Sequence, residues 1–264
     1  LERERRLGTP LAAVVALAVL TSLVAASVAI ASGPGDETPH MLFFRGNALY
    51  GDERYADAIT AYEKVLATGL ESGNLYFNLG NAYFKSGDVG RAVLQYERAR
   101  RLIPRDPDLH ANLGYAREKS GDGDPTPLWA RFVFPLASRA SSNELLTAAS
   151  VCFVLLIALL IFARLVPRVA RASRGATIAA AIALAITAAS AAYRLATIDL
   201  PTFAVVVASA DTGVRFEPSP TGTTHFESKP GTVLRVLSER EGWAQVARPD
   251  GKRGWIARGA IATL

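Results

Sequence analysis

Histidine and cysteine are where metal binding or nucleophilic chemistry would begin, and their spacing offers neither. His40, His110 and His225 stand at least 70 positions apart, and Cys152 is the only cysteine. No paired metal-ligand spacing and no glycine-rich phosphate loop occurs. The sequence therefore predicts no catalytic residue, no metal and no cofactor. A different chemistry is available from Asn47 and Asn81, which lie 34 residues apart with Phe43, Tyr50, Phe77 and Phe84 around them. Asn112 and Tyr115 continue the series. Carboxamides hydrogen-bond an extended backbone, and aromatic rings give apolar contact beside it. That chemistry is recognition of a peptide. The alternative use of the same aromatics is packing between neighbouring helices.

The elements that must position these residues repeat with the same period. Gly46, Gly80 and Gly114 are spaced by 34, and Gly46-Asn47-Ala48 recurs as Gly80-Asn81-Ala82. Ala58 returns as Ala92, Tyr62 as Tyr96, and Gly87-Asp88 as Gly121-Asp122. A period of this length is one helix-turn-helix unit that buries its apolar face only by stacking on a copy of itself. In the second copy Tyr76, Leu79, Gly80, Tyr83, Ala92, Tyr96, Ala99 and Pro104 resemble a tetratricopeptide repeat. The first copy matches through Gly46, Leu49, Ala58, Tyr62 and Val65, and the third supplies only a first helix, Leu109 to Lys119. The resemblance implies a concave groove lined by Phe43, Asn47, Tyr50, Phe77, Asn81, Phe84, Asn112 and Tyr115. In relatives that hold a terminal carboxylate, lysines stand where this chain has Phe43 and Phe77, so that clamp is absent. Two and a half repeats fall short of a self-sufficient array. A membrane-proximal helix, or a partner, is expected to cover the exposed end.

From Phe203 onward short β-rich runs alternate with glycines. Ala204–Ala208, Thr232–Leu237, Trp243–Ala247 and Gly254–Ala257 read as strands, and Asp250-Gly251 as a hairpin turn. Val214-Arg215, the prolines at 218 and 220, Gly231-Thr232-Val233, Gly242-Trp243 and Gly254-Trp255-Ile256 resemble a bacterial SH3-like (SH3b) domain. The resemblance implies a binder of peptides or cell-wall peptides, with Phe216, Phe226, Trp243 and Trp255 lining a shallow groove. Both tryptophans could instead fill the core.

Three apolar blocks remain. Leu11–Ala31 follows Arg3, Arg5 and Arg6 and ends in small residues, as a signal peptide or an uncleaved anchor would. Leu145–Ala163 and Gly175–Tyr193 each run 19 residues without a charge, roughly 28 Å of helix, about the thickness of a bilayer's hydrocarbon core. The net charge of +5 concentrates between them, where Arg164, Arg168, Arg171 and Arg174 occur with no acid. Arginines so placed hold a loop on the cytoplasmic side, and no folded part is basic enough to bind nucleic acid. Ser141 and Glu144 form a capping box opening the first span. Trp129, Phe132 and Phe134 place 128–140 at headgroup level.

The sequence thus predicts a multidomain α + β membrane protein, built from a helical repeat array, a transmembrane helical hairpin and a small SH3-like β-barrel. The segments are 1–31 (leader or anchor), 40–120 (repeats), 121–143 (linker and interfacial segment), 144–164 (span), 165–174 (cytoplasmic loop), 175–195 (span) and 203–264 (barrel). In that order they resemble BatE-type proteins of bacterial aerotolerance operons. The resemblance implies a non-enzymatic scaffold in the bacterial inner membrane, with repeats and barrel on the extracytoplasmic side. Its implied partners are von Willebrand-type membrane proteins and a MoxR-type ATPase system. The alternative is a sensor or binder of peptidoglycan peptides.

Overall fold

The computed structural model describes residues 37–121, 128–137 and 139–264, without the side chains of Leu128, Arg131, residues 167–170 and Ala172. The leader or anchor expected over 1–31 lies outside the described residues. Among the described residues five helices come first: α1 (Pro39–Gly51), α2 (Tyr55–Ala67), α3 (Gly73–Lys85), α4 (Val89–Leu102) and α5 (Pro107–Ser120). Their starts are written locally. Thr38, Ser72, Asp88 and Asp106 each accept a backbone N–H of the first turn through the side chain, and Pro39 and Pro107 occupy N1. Such caps contribute about 1 kcal/mol each. Gly121 closes α5 with φ of 70°, a left-handed cap suited to glycine.

The repeating glycines mark helix crossings. A Cβ on Gly46 would lie 2.5 Å from the Tyr62 ring, and one on Gly80 would lie 2.6 Å from the Tyr96 ring. Both tyrosines are almost wholly buried. At Gly114 a Cβ would meet nothing within 4 Å, and among the described residues no second-helix tyrosine packs there. One residue type in one register therefore has opposite expected behaviour. Gly46→Ala and Gly80→Ala should each destabilise the repeats by about 1–3 kcal/mol through overpacking. Gly114→Ala should stabilise by up to about 1 kcal/mol through helix propensity. Thermal melting of the three variants checks this, and equal losses at all three positions would contradict it.

Helix α6 (Leu128–Val133) leads to α7 (Ser142–Leu165) and α8 (Pro167–Arg194), followed by a π-helical turn at Leu195–Asp199. The expected capping box is formed: Ser141 Oγ accepts the Glu144 N–H while the Glu144 carboxylate accepts the Ser141 N–H. The loop expected over 165–174 contracts to a break at Val166. Pro167 starts the next helix at N1, and arginine, a good helix former, carries it through the charged stretch. Arg164, Arg171 and Arg174 are exposed around this bend, while the side chain of Arg168 is outside the described set. Both helices are long and apolar enough to cross a membrane. Phe153, Leu155, Ile161, Phe162, Ile178, Ile182 and Ile186 all point away from protein neighbours, unlike the inward stripe of a core helix.

The chain ends in a seven-stranded antiparallel sheet, ordered β3-β2-β6-β5-β4-β1-β7. The strands are β1 (Phe203–Val206), β2 (Thr212–Arg215), β3 (Thr224–Ser228), β4 (Val233–Arg240), β5 (Trp243–Ala247), β6 (Arg253–Ala257) and β7 (Ile261–Thr263). The sheet coils into a small SH3-like barrel whose core is Ala204, Val206, Val214, Leu234, Ala244, Val246, Ile256 and Ile261. Val205, between two of these, belongs instead to the core of the repeats. Strand β1 is thus buried on both faces, which explains why Phe203–Val207 is an unbroken apolar run and not an alternating one.

Part of the short array is covered by the barrel. It seats on α4 and the last turn of α5. A Cβ on Gly90 would lie 2.7 Å from the carbonyl oxygen of Val206, and Gly231, at φ 89°, abuts Ser120 and Val93. Arg98 Nη2 donates to the Thr263 carbonyl at 3.0 Å. On the far face of α5, Asp108, His110, Ala111 and Glu118 are exposed and mostly polar.

The hairpin is clasped at the end nearest the repeats. Arg194, almost wholly buried, donates to the carbonyls of Ala137 and Ala140 at 3.1 and 3.0 Å and to Ser142 Oγ at 3.0 Å. Asp199 pairs with Arg194 at 3.7 Å and accepts the Ser142 hydroxyl. From the repeat side, Arg105 donates to the Arg139 carbonyl at 2.7 Å and pairs with Glu144 at 3.1 Å. Repeats and barrel consequently lie at one end of the hairpin, and the arginine-rich bend lies at the other.

Candidate functional site

The first helices of the three copies, α1, α3 and α5, present their inner positions side by side. Tyr50, Asn81, Phe84, Asn112 and Tyr115, all expected groove residues, line a single cleft of about 260 Å³ together with Lys85 and Tyr96. Its aromatic wall is continuous: the Phe84 and Tyr115 rings are 5.5 Å apart. Lys119 Nζ sits over both, at 5.2 and 5.4 Å from the ring centroids. The charged residue that lines the cleft is Lys85.

The asparagines do double duty. Asn81 Oδ1 accepts the Tyr96 hydroxyl at 2.8 Å and the Asn112 amide at 2.9 Å. One repeat earlier, Asn47 Oδ1 accepts the Tyr62 hydroxyl at 2.7 Å and the Asn78 amide at 2.9 Å. The two ladders are copies of one arrangement, which ties each second-helix tyrosine to the floor of the groove. Burial pushes the Tyr62 phenol up to about 12, with the Tyr50 phenol adding to the rise; burial raises Tyr96 as well. Both remain hydroxyl donors at any physiological pH. What Asn81 and Asn112 can still offer a ligand at the cleft is an amino group and a carbonyl respectively.

Phe43, Asn47 and Phe77 do not line the cleft. Phe43 packs 6.0 Å from the Tyr62 ring and Phe77 6.1 Å from the Tyr96 ring. They fill the space beside the glycine crossings. Lys85 and Lys119 were not singled out by sequence, although Lys85 adjoins Phe84 and Lys119 follows Tyr115 by one helical turn.

On the barrel the four candidate aromatics separate into two places. Phe216, 61 % exposed, stacks on His225 at 4.2 Å, and His225 meets the edge of Phe226 at 5.2 Å. Phe226 leans inward on the barrel core, with the Arg248 guanidinium 5.4 Å over its ring. Trp243 and Trp255 share the outer face of β5 and β6, because Trp243 opposes Ala257 and Trp255 opposes Gln245. Both are half-buried, and the core side of those strands is Ala244, Val246 and Ile256. The three histidines serve separate ends: His40 meets the Phe44 ring edge-on, His110 Nε2 lies 2.7 Å from the Pro104 carbonyl, and His225 Nδ1 lies 3.0 Å from the Arg253 carbonyl.

A tetratricopeptide-repeat family model matches residues 15–73, 43–107 and 77–124. The second and third matches begin 34 residues apart, the period carried by Gly46, Gly80 and Gly114. A bacterial SH3 domain model matches residues 209–262. No curated protein matches the chain. Both matched modules are typically non-catalytic interaction domains, so protein–protein interaction or peptidoglycan binding is the role they support.

Proposed function

We propose that this protein is a membrane-anchored scaffold that holds an extended segment of a partner protein in the Tyr50–Tyr115 cleft. The cleft carries the reading: rings for apolar contact, amides for a backbone and a cationic rim, gathered mainly on the first helices of three successive repeats. The hairpin sits in the bacterial inner membrane, with the arginine-rich bend inside the cell and both folded domains outside. The location of the cleft sets the kind of partner. The α4–α5 turn faces the clasped end of the hairpin through Arg105, whereas Phe84, Lys85, Tyr115 and Lys119 lie toward the opposite helix ends. The bound segment belongs, on this reading, to an extracytoplasmic domain of the partner and not to a span. In the BatE-type setting these partners are von Willebrand-type membrane proteins that work with a MoxR-type ATPase.

Lys85 and Tyr115 are exposed, so their replacement should leave the fold intact. Lys85→Glu combined with Tyr115→Ser is expected to lower partner recovery, after crosslinking in intact membranes, by about tenfold or more. The melting temperature should not change. Undiminished recovery would remove the cleft from the account. A second reading, peptidoglycan binding by the barrel, draws on the exposed Phe216–His225 stack. It gains if the crosslinked material is muropeptide and is lost on Phe216→Ser.

A further inference from the structure

Between the repeats and the hairpin, α6 and the turn after it are pinned to the membrane helices by aromatic contacts. Phe134 stacks on Tyr193 at 4.4 Å, and the Trp129 ring lies 6.1 Å from Tyr193 and 6.4 Å from Phe134. Tyr193 is in the last turn of α8, next to Arg194, whose guanidinium holds the Ala137 and Ala140 carbonyls. A segment fixed this firmly would normally turn its apolar side chains inward. Here Phe132 is 84 % exposed, Leu200 76 %, Val133 60 % and Trp129 57 %. The patch sits at the end of a hairpin whose own apolar residues, among them Leu146, are also exposed.

We infer that Trp129, Phe132, Val133 and Leu200 form an interfacial foot that inserts into the headgroup boundary of the same leaflet in which the hairpin ends. Continuity selects the occupant, because the patch extends the lipid-facing surface of α7 and α8. Its composition fits as well. Amphipathic Trp and Tyr rings favour the membrane–water boundary, and a short apolar helix face lies in that plane. The foot fixes the depth of the hairpin and, through Arg105 and the Arg194 clasp, the height of the repeats above the bilayer.

The protein has three tryptophans, so Trp243→Phe with Trp255→Phe leaves Trp129 as the only indole. The full chain is reconstituted in phosphatidylcholine–phosphatidylglycerol vesicles brominated either near the headgroups or near the bilayer centre. Shallow bromines should remove most of the Trp129 emission and deep bromines far less. Phe132→Asp with Val133→Asp should weaken the shallow quenching several-fold and shift emission to the red, while Cys152 stays shielded from a water-soluble thiol reagent. If the barrel variants fold poorly, the difference between the unaltered protein and Trp129→Phe isolates the same signal. Emission quenched by neither lipid would overturn the inference and assign the patch to water or a protein partner. Preferential quenching from the bilayer centre would overturn it too, since it would place Trp129 within a span.

Discussion

Arg117→Met is expected to destabilise the repeat domain by about 1.5–3 kcal/mol, because buried Glu97 loses one of its two guanidinium partners and keeps only Arg100. Glu97 on α4 is 2 % exposed and Arg117 on α5 is 7 % exposed. One Glu97 oxygen accepts Arg117 Nη2; the other accepts Arg100 Nε and Nη2 at 3.0 and 2.8 Å. Burial alone would raise the Glu97 carboxyl, but Arg100 and Arg117 overcome it and hold it below the ordinary carboxylate range. A depressed carboxylate contributes stability that is present above its unfolded value of 4.5 and is lost as pH falls through its lower folded value. Acid unfolding of the repeats should therefore shift to higher pH in the Arg117→Met protein, whose folded-state carboxyl is less depressed. Glu97→Leu combined with Arg117→Met should recover much of the loss, since an apolar pair of similar volume often replaces a buried ion pair at little cost. Chemical denaturation of the two single variants and the double variant completes the cycle. Additive losses would show that the pair is not coupled.

The second large effect concerns the docking of the barrel. Gly90→Val puts methyl groups where the Val206 carbonyl and the Val207 Cα already lie, 2.7 and 3.1 Å from the site of the new Cβ. Both neighbours are backbone and cannot yield as a flexible side chain would. The variant is expected to lose about 1–3 kcal/mol and to separate the two units, uncovering Val93 and Val205. The unaltered protein should unfold its repeats and barrel in one cooperative transition, and Gly90→Val in two. A single transition at the original temperature would show that the contact does not couple them.

Much of this fold is legible in the residues because it rests on periodic or local signals. The 34-residue spacing of the glycines marks the helix crossings, and Ser141 with Glu144 marks the start of α7. Strands β4, β5 and β6 follow from runs such as Trp243–Ala247. Strands β2, β3 and β7 escape such reading, since Thr212–Arg215 and Thr224–Ser228 are short and mostly polar, and take their strand form from pairing with neighbours. The docking of the barrel is written only as the missing alternation of Phe203–Val207. A run of that kind says that both faces are buried without saying against what. At the cleft, five of eight expected residues converge. Phe43 and Phe77 occupy the same helix face as Tyr50 and Phe84, but the Tyr62 and Tyr96 rings draw them into packing. Which aromatics stay available depends on side chains contributed from 15 or more residues away, beyond the reach of spacing alone.

The sidedness of the hairpin is open to direct measurement. In a Cys152→Ser background, single cysteines are placed at the exposed positions Thr68, Thr221 and Gly175, in the repeats, the barrel and the bend end of α8. Intact cells with a permeabilised outer layer are treated with a membrane-impermeant thiol reagent, before and after the inner membrane is opened. Thr68→Cys and Thr221→Cys should be labelled at once, and Gly175→Cys only after opening. Labelling of Gly175→Cys in the sealed cells, or protection of either domain there, would contradict the account.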